Sequence, residues 1–331
     1  MGEPLVFVNG DFVPRSEATI SVFDRGLRVG DTVYEVERTF GGKLFELERH
    51  IDRLFRALKY VRIDIGMDPN AFGSIVEDLV SRNAEHHSGH DVTAVQIVTR
   101  GAFDVSFDIL GVRGRPTVIV YTQEIDPGSI AHFYVRGKRA MVPSVRRIPP
   151  QSLSPKVKIA NKMGHTIAWL EAQAMDPGSV ALMLDLDGRV TGIAPGANLL
   201  FFANGEICAP NPQYTLDSTS AAMVSRLAGE IGVHTRTGDF SLFDLMQADE
   251  VFQVDTRDCV TPIVSVNGAP IGNGKPGSLH RSLLKAWSEV VGLNILETAI
   301  DLAPDKERAA LRAELAEEAR SPKDGAGQRP N

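Results

Sequence analysis

Between residues 32 and 61 the apolar pattern changes period. Thr32 to Phe40 alternates as a strand does, and Gly41-Gly42 makes a tight turn. Leu47, Ile51, Leu54, Phe55, Leu58 and Val61 then recur at helical spacing, with Glu48 in the first turn and Arg49, Arg53 and Arg56 on other faces. A chain that moves from a period of 2 to one of 3.6 in so short a span must build sheet and helix side by side, an α/β (α+β) fold. The flanking segments agree. Leu5 to Pro14 reads as a hairpin about Asn9-Gly10-Asp11. Asp68-Pro69 opens a second helix through Ile75, Val76, Leu79 and Val80. Val92 to Thr99 and Thr117 to Tyr121 read as strands joined by a Gly-rich loop from Gly101 to Pro116.

These elements predict a small N-terminal domain over 1–124, with 125–137 as the connection to a larger domain over 138–300. The larger domain opens with a strand around Arg139 to Pro143. A helix carrying Ile159, Met163, Ile167, Leu170 and Ala174 follows, stopped by Asp176-Pro177-Gly178. Strands are expected at Ala181–Asp185, Asn198–Ala203 and Glu206–Ala209, and a helix from about Ser220 to Ile231. The tail, 301–331, is of a different composition: DKERAALRAELAEEAR reads as a charged helix and SPKDGAGQRPN as disordered.

Composition narrows the function by exclusion. The 331 residues carry 35 Lys+Arg against 42 Asp+Glu, a formal net charge of −7, which argues against a nucleic-acid footprint. Cys208 and Cys259 are isolated, so neither a disulfide scaffold nor a cysteine zinc site is expected. His86, His87 and His90 cluster without a patterned carboxylate and read as solvated, leaving no metal site. No apolar stretch approaches the roughly 18 residues of a membrane span, and the start lacks a secretory pattern, so a cytoplasmic setting is expected.

Four ordered blocks carry a resemblance. The first is FDRGLRVGDTVYEVERTFGGKLFELERHIDRL, ending in the H-x-x-R-L of His50 to Leu54. The second is KIANKMGHTIAWLEA, with a K-x-x-N at Lys158 to Asn161. The third is LMLDLDGRVTGIAPGANLLFF and the fourth ADEVFQVDTRDCVTPIV. Together they resemble the fold-type IV enzymes that use pyridoxal 5'-phosphate: branched-chain and D-amino acid aminotransferases, (R)-amine transaminases and aminodeoxychorismate lyases. The likeness spans nearly all of residues 5 to 280. It implies a two-domain fold with a β-barrel-like core in the larger domain, a homodimer, and a small-molecule amino donor and 2-oxo acid acceptor as reaction partners. Transfer of the amino group is the leading expectation. A lyase, or a diverged member with altered cofactor chemistry, is the alternative.

The resemblance also implies residue roles. Lys158 lies three residues before Asn161 and matches the Schiff-base lysine, with Lys156 as the fallback; such an amine must lose its proton near neutral pH. Arg53 matches the phosphate arginine. Ser218, Thr219 and Ser220 stand where the family starts a phosphate-binding helix, and their hydroxyls also suit a helix cap. Thr256 matches a phosphate-binding threonine, although Asp255 replaces the glycine before it; its side chain either turns away or weakens that contact. Asn198 belongs to the same cofactor set. Tyr34, Arg38 and Arg100 are candidates for the substrate carboxylate. His165, on the helix after Lys158, is read as a support residue or a core-edge one.

One departure matters most. The family carries a glutamate after the Val-Thr of the third block, and that carboxylate pairs with the protonated pyridine nitrogen. Here Gly192 stands there, or Ile193 if the gap is placed differently, and no neighbouring carboxylate replaces it. Without an anion a buried pyridinium tends to lose its proton. The tyrosine that branched-chain enzymes carry after the lysine block's asparagine is Lys162.

Overall fold

The computed structural model describes residues 2–87, 90–102 and 115–320. The first of its two sheets has six strands: β1 (Leu5–Val8), β2 (Asp11–Pro14), β3 (Thr32–Phe40), β4 (Lys43–Leu44), β5 (Val92–Thr99) and β6 (Thr117–Glu124), in the antiparallel order β2-β1-β6-β5-β3-β4. The short helix α1 (Arg25–Val29) precedes β3. Helices α2 (Leu47–Val61) and α3 (Pro69–Asn83) cover one face of the sheet. Leu54, Leu58, Phe72, Val76 and Leu79 from the helices meet Phe7, Val33, Ala94, Val98 and Val120 from the strands. The apolar stripe of α2 thus does what its spacing foretold, burying itself on a sheet.

The second sheet has nine strands: β7 (Lys138–Met141), β8 (Val180–Leu184), β9 (Val190–Ala194), β10 (Asn198–Ala203), β11 (Glu206–Pro210), β12 (Thr235–Gly238), β13 (Glu250–Asp255), β14 (Cys259–Val266) and β15 (Ala269–Pro270). Its order is β12-β11-β10-β13-β14-β7-β8-β9, with β15 on β14. β9 is an end strand and β10 lies near the opposite end, yet only residues 195–197 join them, and Ile193 and Ala197 exchange backbone hydrogen bonds of 3.0 and 2.9 Å. The sheet therefore curls back on itself as a half-barrel, filled by Leu182, Ile193, Leu199, Phe201, Val251 and Ile263. Helices α4 (Ala131–Arg136), α5 (Met163–Met175), α6 (Thr219–Glu230), α7 (Leu242–Met246), α8 (Ser278–Val291), α9 (Ile295–Leu302) and α10 (Asp305–Arg320) surround it.

Four features depart from the pattern reading. β9 is a strand in a segment whose sequence stands out only for its altered cofactor motif. α8 and α9 bury Leu283, Leu284, Trp287 and Ile300 in a stretch to which the pattern assigns no element. The connection after residue 125 carries α4, whose Ala131, Tyr134 and Val135 belong to the larger core. The helix read from Ile159 begins at Met163, because the backbone before it is claimed by β3: Tyr34 N–H donates to the Lys158 carbonyl (2.9 Å) and Ala160 N–H to that of Thr32 (3.2 Å). The charged helix of the tail forms as α10, while the disorder read for 321–331 and most of the Gly101–Pro116 loop lie outside the described residues. No described helix is long and apolar enough to cross a membrane.

Candidate active site

Lys158 sits on the extended segment that joins the two sheets. Its Nζ lies 4.6 Å from the centre of the Tyr34 ring, and Lys162 Nζ lies 5.7 Å from the same ring. Lys156 is paired with Asp217. Lys158 has no carboxylate partner among the described residues and borders two cavities, so of the two candidate amines it is the one free to meet a ligand. The first cavity brings together Arg147, Lys162, His165, Thr191 and Asn198. The second holds Tyr34, Lys162, Trp169, Gln253 and Thr256. A third, lined by Arg53, Ser218 and Thr219, adjoins the first through Asn198 and Thr215.

The arginine of the third cavity is held rigidly. Arg53 donates from Nε and Nη2 to Glu35 (2.7 and 2.6 Å) and from Nη1 to the Asp217 carbonyl (2.7 Å). Burial alone would raise the Glu35 carboxyl, but the Arg53 charge and hydrogen bonds from His50 and Arg53 outweigh it and hold the acid well below its ordinary range. His50 Nδ1 lies 3.2 Å from Glu35 and its Nε2 3.0 Å from the Thr219 hydroxyl. Burial lowers the His50 pKa despite that acid. One carboxylate therefore orients both the arginine and, through the imidazole, the start of α6. Ser218 caps α6 by accepting from Ala221 N–H (3.1 Å), whereas Ser220 is buried in the first turn and borders none of these cavities. A phosphate fits this corner on its donors: a guanidinium with one Nη1 hydrogen still free, the Ser218 hydroxyl and the open N–H groups of a helix start.

Thr256 stands apart from this group, beside Lys158 in the second cavity. Its neighbour Asp255 borders that cavity too. Asp255 accepts from Gln253 (2.8 Å) and from Asp258 N–H (2.7 Å). Burial and the nearby Asp258 push its carboxyl up, while Lys138 and Arg257, at 2.9 and 3.0 Å, overcome burial to hold Asp258 down.

The first cavity is a cationic one. Burial pushes the Lys162 amine down to about 7, with Lys158 and Arg147 adding to the effect. Burial likewise depresses the Arg147 guanidinium, and with help from Lys162 and Arg147 it takes His165 to about 3, so this imidazole is neutral at pH 7. Among the described residues no Asp or Glu lines this cavity.

Two expected substrate contacts lie elsewhere. Arg38 is buried between the domains, donating to the carbonyls of Thr39 (3.0 Å) and Arg257 (2.6 Å), with its guanidinium 3.9 Å from the Phe40 ring. Arg100 pairs with Asp31 (2.8 Å) and donates to the carbonyls of Val61 and Arg62. Neither borders the three cavities, whereas Tyr34 does. Sequence reasoning singles out neither Glu35 nor Arg147. Glu35 has a signal in the Tyr-Glu of the first block; Arg147 has none, because its place opposite β9 is a matter of folding. His87 bonds Thr122 (2.8 Å) and His90 pairs with Glu124, and the described residues hold no cluster able to bind a metal.

Lys158 thus stands with Lys162 beside β3 and the half-barrel, in the mixed α/β architecture of two sheets that class IV aminotransferases share. The family model for amino-transferase class IV matches residues 32–266, and the chain belongs to that family. It is 30% identical over 287 residues to a Methanocaldococcus jannaschii protein named as a branched-chain-amino-acid aminotransferase, covering 86% of this chain and 96% of that one. The D-alanine aminotransferase of Staphylococcus haemolyticus is 25% identical over 288 residues, 86% of this chain and 97% of its own. Among solved structures, a T.th. branched-chain amino acid aminotransferase with pyridoxamine 5'-phosphate aligns with a TM-score of 0.80 at 27% identity, over 88% of this chain and 95% of that one.

Proposed function

We propose that this protein is a pyridoxal 5'-phosphate-dependent aminotransferase of the cytoplasm. It moves an amino group from an amino acid or primary amine to a 2-oxo acid, with Lys158 as the amine that holds the cofactor. The observation that carries the reading is the position of Lys158, without an ion-pair partner among the described residues and bordering two cavities, while its neighbour Lys156 is paired with Asp217. When bound, the cofactor supplies an electrophilic aldehyde and a ring that withdraws electrons from the substrate carbon. The chain does the rest. Arg53, Ser218 and Thr219 hold the phosphate, with Glu35 and His50 fixing that corner. Asn198 and Thr256, each bordering a cavity that Lys158 also borders, would help hold the cofactor. The Tyr34 ring packs beside the Lys158 amine and would offer its hydroxyl to the substrate carboxylate, and the Lys158 amine would serve as the base that takes up the substrate's α-proton.

The test is covalent loading. Incubated with pyridoxal 5'-phosphate and then reduced with borohydride, the protein is expected to gain one phosphopyridoxyl group on the peptide containing Lys158. Lys156→Ala retains this label and Lys158→Ala loses it. A label that survives in Lys158→Ala would refute the assignment. Amino-group transfer assayed with D- and L-amino acids and (R)-amines then identifies the donor.

A further inference from the structure

The missing carboxylate has a structural counterpart. Of the two positions that could have carried it, Ile193 buries its side chain among Leu182, Leu184, Val190 and Leu199, inside the half-barrel. Gly192 faces the other way. A Cβ built on it would stand 3.5 Å from Arg147 Nη1 and 3.0 Å from the Ala197 carbonyl oxygen. Arg147 anchors through its own backbone, its N–H donating to the Leu184 carbonyl on the neighbouring strand (2.9 Å), and its side chain has no ion-pair partner among the described residues. It lines the same cavity as Lys158, together with Lys162 and His165, and no acid joins them. Asp185 is paired with Arg189 (3.0 Å) and Asp217 with Lys156. Thr191, the residue before Gly192, spends its hydroxyl on the Met183 carbonyl (2.8 Å).

We propose that Arg147 stands in for the absent carboxylate and holds the ring nitrogen of the bound cofactor in its unprotonated form. This rests on the proposed function and concerns the same site. The chemistry follows from the donor set. A guanidinium only donates hydrogen bonds, and so does a pyridinium N–H; the two repel. An unprotonated ring nitrogen offers a lone pair and accepts from Arg147 instead. The Lys162 and Lys158 side chains line the same cavity and bring no negative charge to pair with a pyridinium, and neither does the neutral His165 ring. A neutral ring withdraws electrons less strongly than a pyridinium. The site is thereby biased toward amino donors whose α-proton is already easily lost, and away from the fast exchange of ordinary aliphatic amino acids.

The decisive measurement is nitrogen NMR on the full-length protein loaded with pyridoxal 5'-phosphate carrying 15N in the ring. At pH 7 the wild-type resonance is expected in the neutral-pyridine range. Arg147→Gln should raise the pH at which this nitrogen takes up a proton by about one unit, tenfold in its acidity. Gly192→Glu should move the resonance to the pyridinium range; its Cβ needs a small retreat of the Ala197 carbonyl, and Arg147→Gln tests the same idea without that demand. A wild-type resonance in the pyridinium range overturns the proposal, as does an Arg147→Gln titration that does not move. Protein that takes up no cofactor through Lys158 fails the proposed function as well, whereas loaded protein with a protonated ring nitrogen fails this inference alone.

Discussion

Glu35 and Glu37 sit two apart on β3, point to the same face of the sheet, and live in opposite conditions. Glu35 is satisfied by Arg53 and His50 and stays ionised. Glu37 is fully buried, accepts only from Gln96 with its Oε1, and leaves Oε2 without a partner. Burial, reinforced by the Glu35 charge, raises its carboxyl well above the ordinary 4.5. The native state then holds a proton that the unfolded chain has released, so stability falls as pH rises from about 4.5 toward the folded value. Glu37→Gln removes that dependence and keeps an amide for Gln96. Thermal melts should show the variant gaining on wild type as pH rises from 4 to 8. A difference that stays flat across this window would mean that Glu37 is not held protonated. The sequence offers Tyr-Glu-Val-Glu as an alternating strand, which argues for glutamates on a wet face. Only the covering of that face by α2 makes both acids buried.

Among the elements, those whose ends are set locally are legible in the chain. The Ser218-Thr219-Ser220 cluster announces the start of α6, and Ser218 is indeed its cap. Ser218→Ala is expected to cost ~1 kcal/mol in chemical denaturation and Ser218→Gly only a few tenths, since glycine keeps the cap's backbone conformation. A Ser218→Ala variant as stable as wild type would show that the hydroxyl's bond to Ala221 contributes nothing. Asp68-Pro69 likewise marks α3, where Asp68 accepts from Ala71 N–H at 2.9 Å. By contrast, α5 starts at Met163 rather than Ile159, because Ile159 continues the apolar period of a helix while its backbone pairs with Val33. Long-range pairing overrode a local pattern. β9 escapes the pattern for a related reason: Val190-Thr191-Gly192-Ile193-Ala194 is buried throughout and shows no alternation to read.

In the molecule as a whole, α5 is apolar on two sides. Ala168 and Ala172 pack against Ala181 and Met183, while Met163, Ile167 and Leu170, the residues whose spacing signalled the helix, are 67%, 43% and 54% exposed. Gly30, at the end of α1, lies against Asn161, which places the exposed Val22, Phe23, Leu27 and Val29 close to the start of α5. So many large apolar groups in one region favour a second copy of the chain over water. Light scattering is expected to give the mass of a dimer for the wild type and of a monomer for Leu170→Asp. A monomeric wild type would remove this face as an interface.

The family is written into the chain itself, because its motifs are short runs of residue types whose chemistry depends on neighbours three or four positions away. The state of the site is not written there. That Lys156 is paired with Asp217 while Lys158 borders the cavities, that Arg38 and Arg100 are spent on backbone carbonyls and Asp31, and that Arg147 faces the glycine where an acid was expected all depend on residues tens of positions apart. Hydrophobic period and turn chemistry act over a few residues, whereas charge and desolvation act through space, and only the folded chain sets those distances.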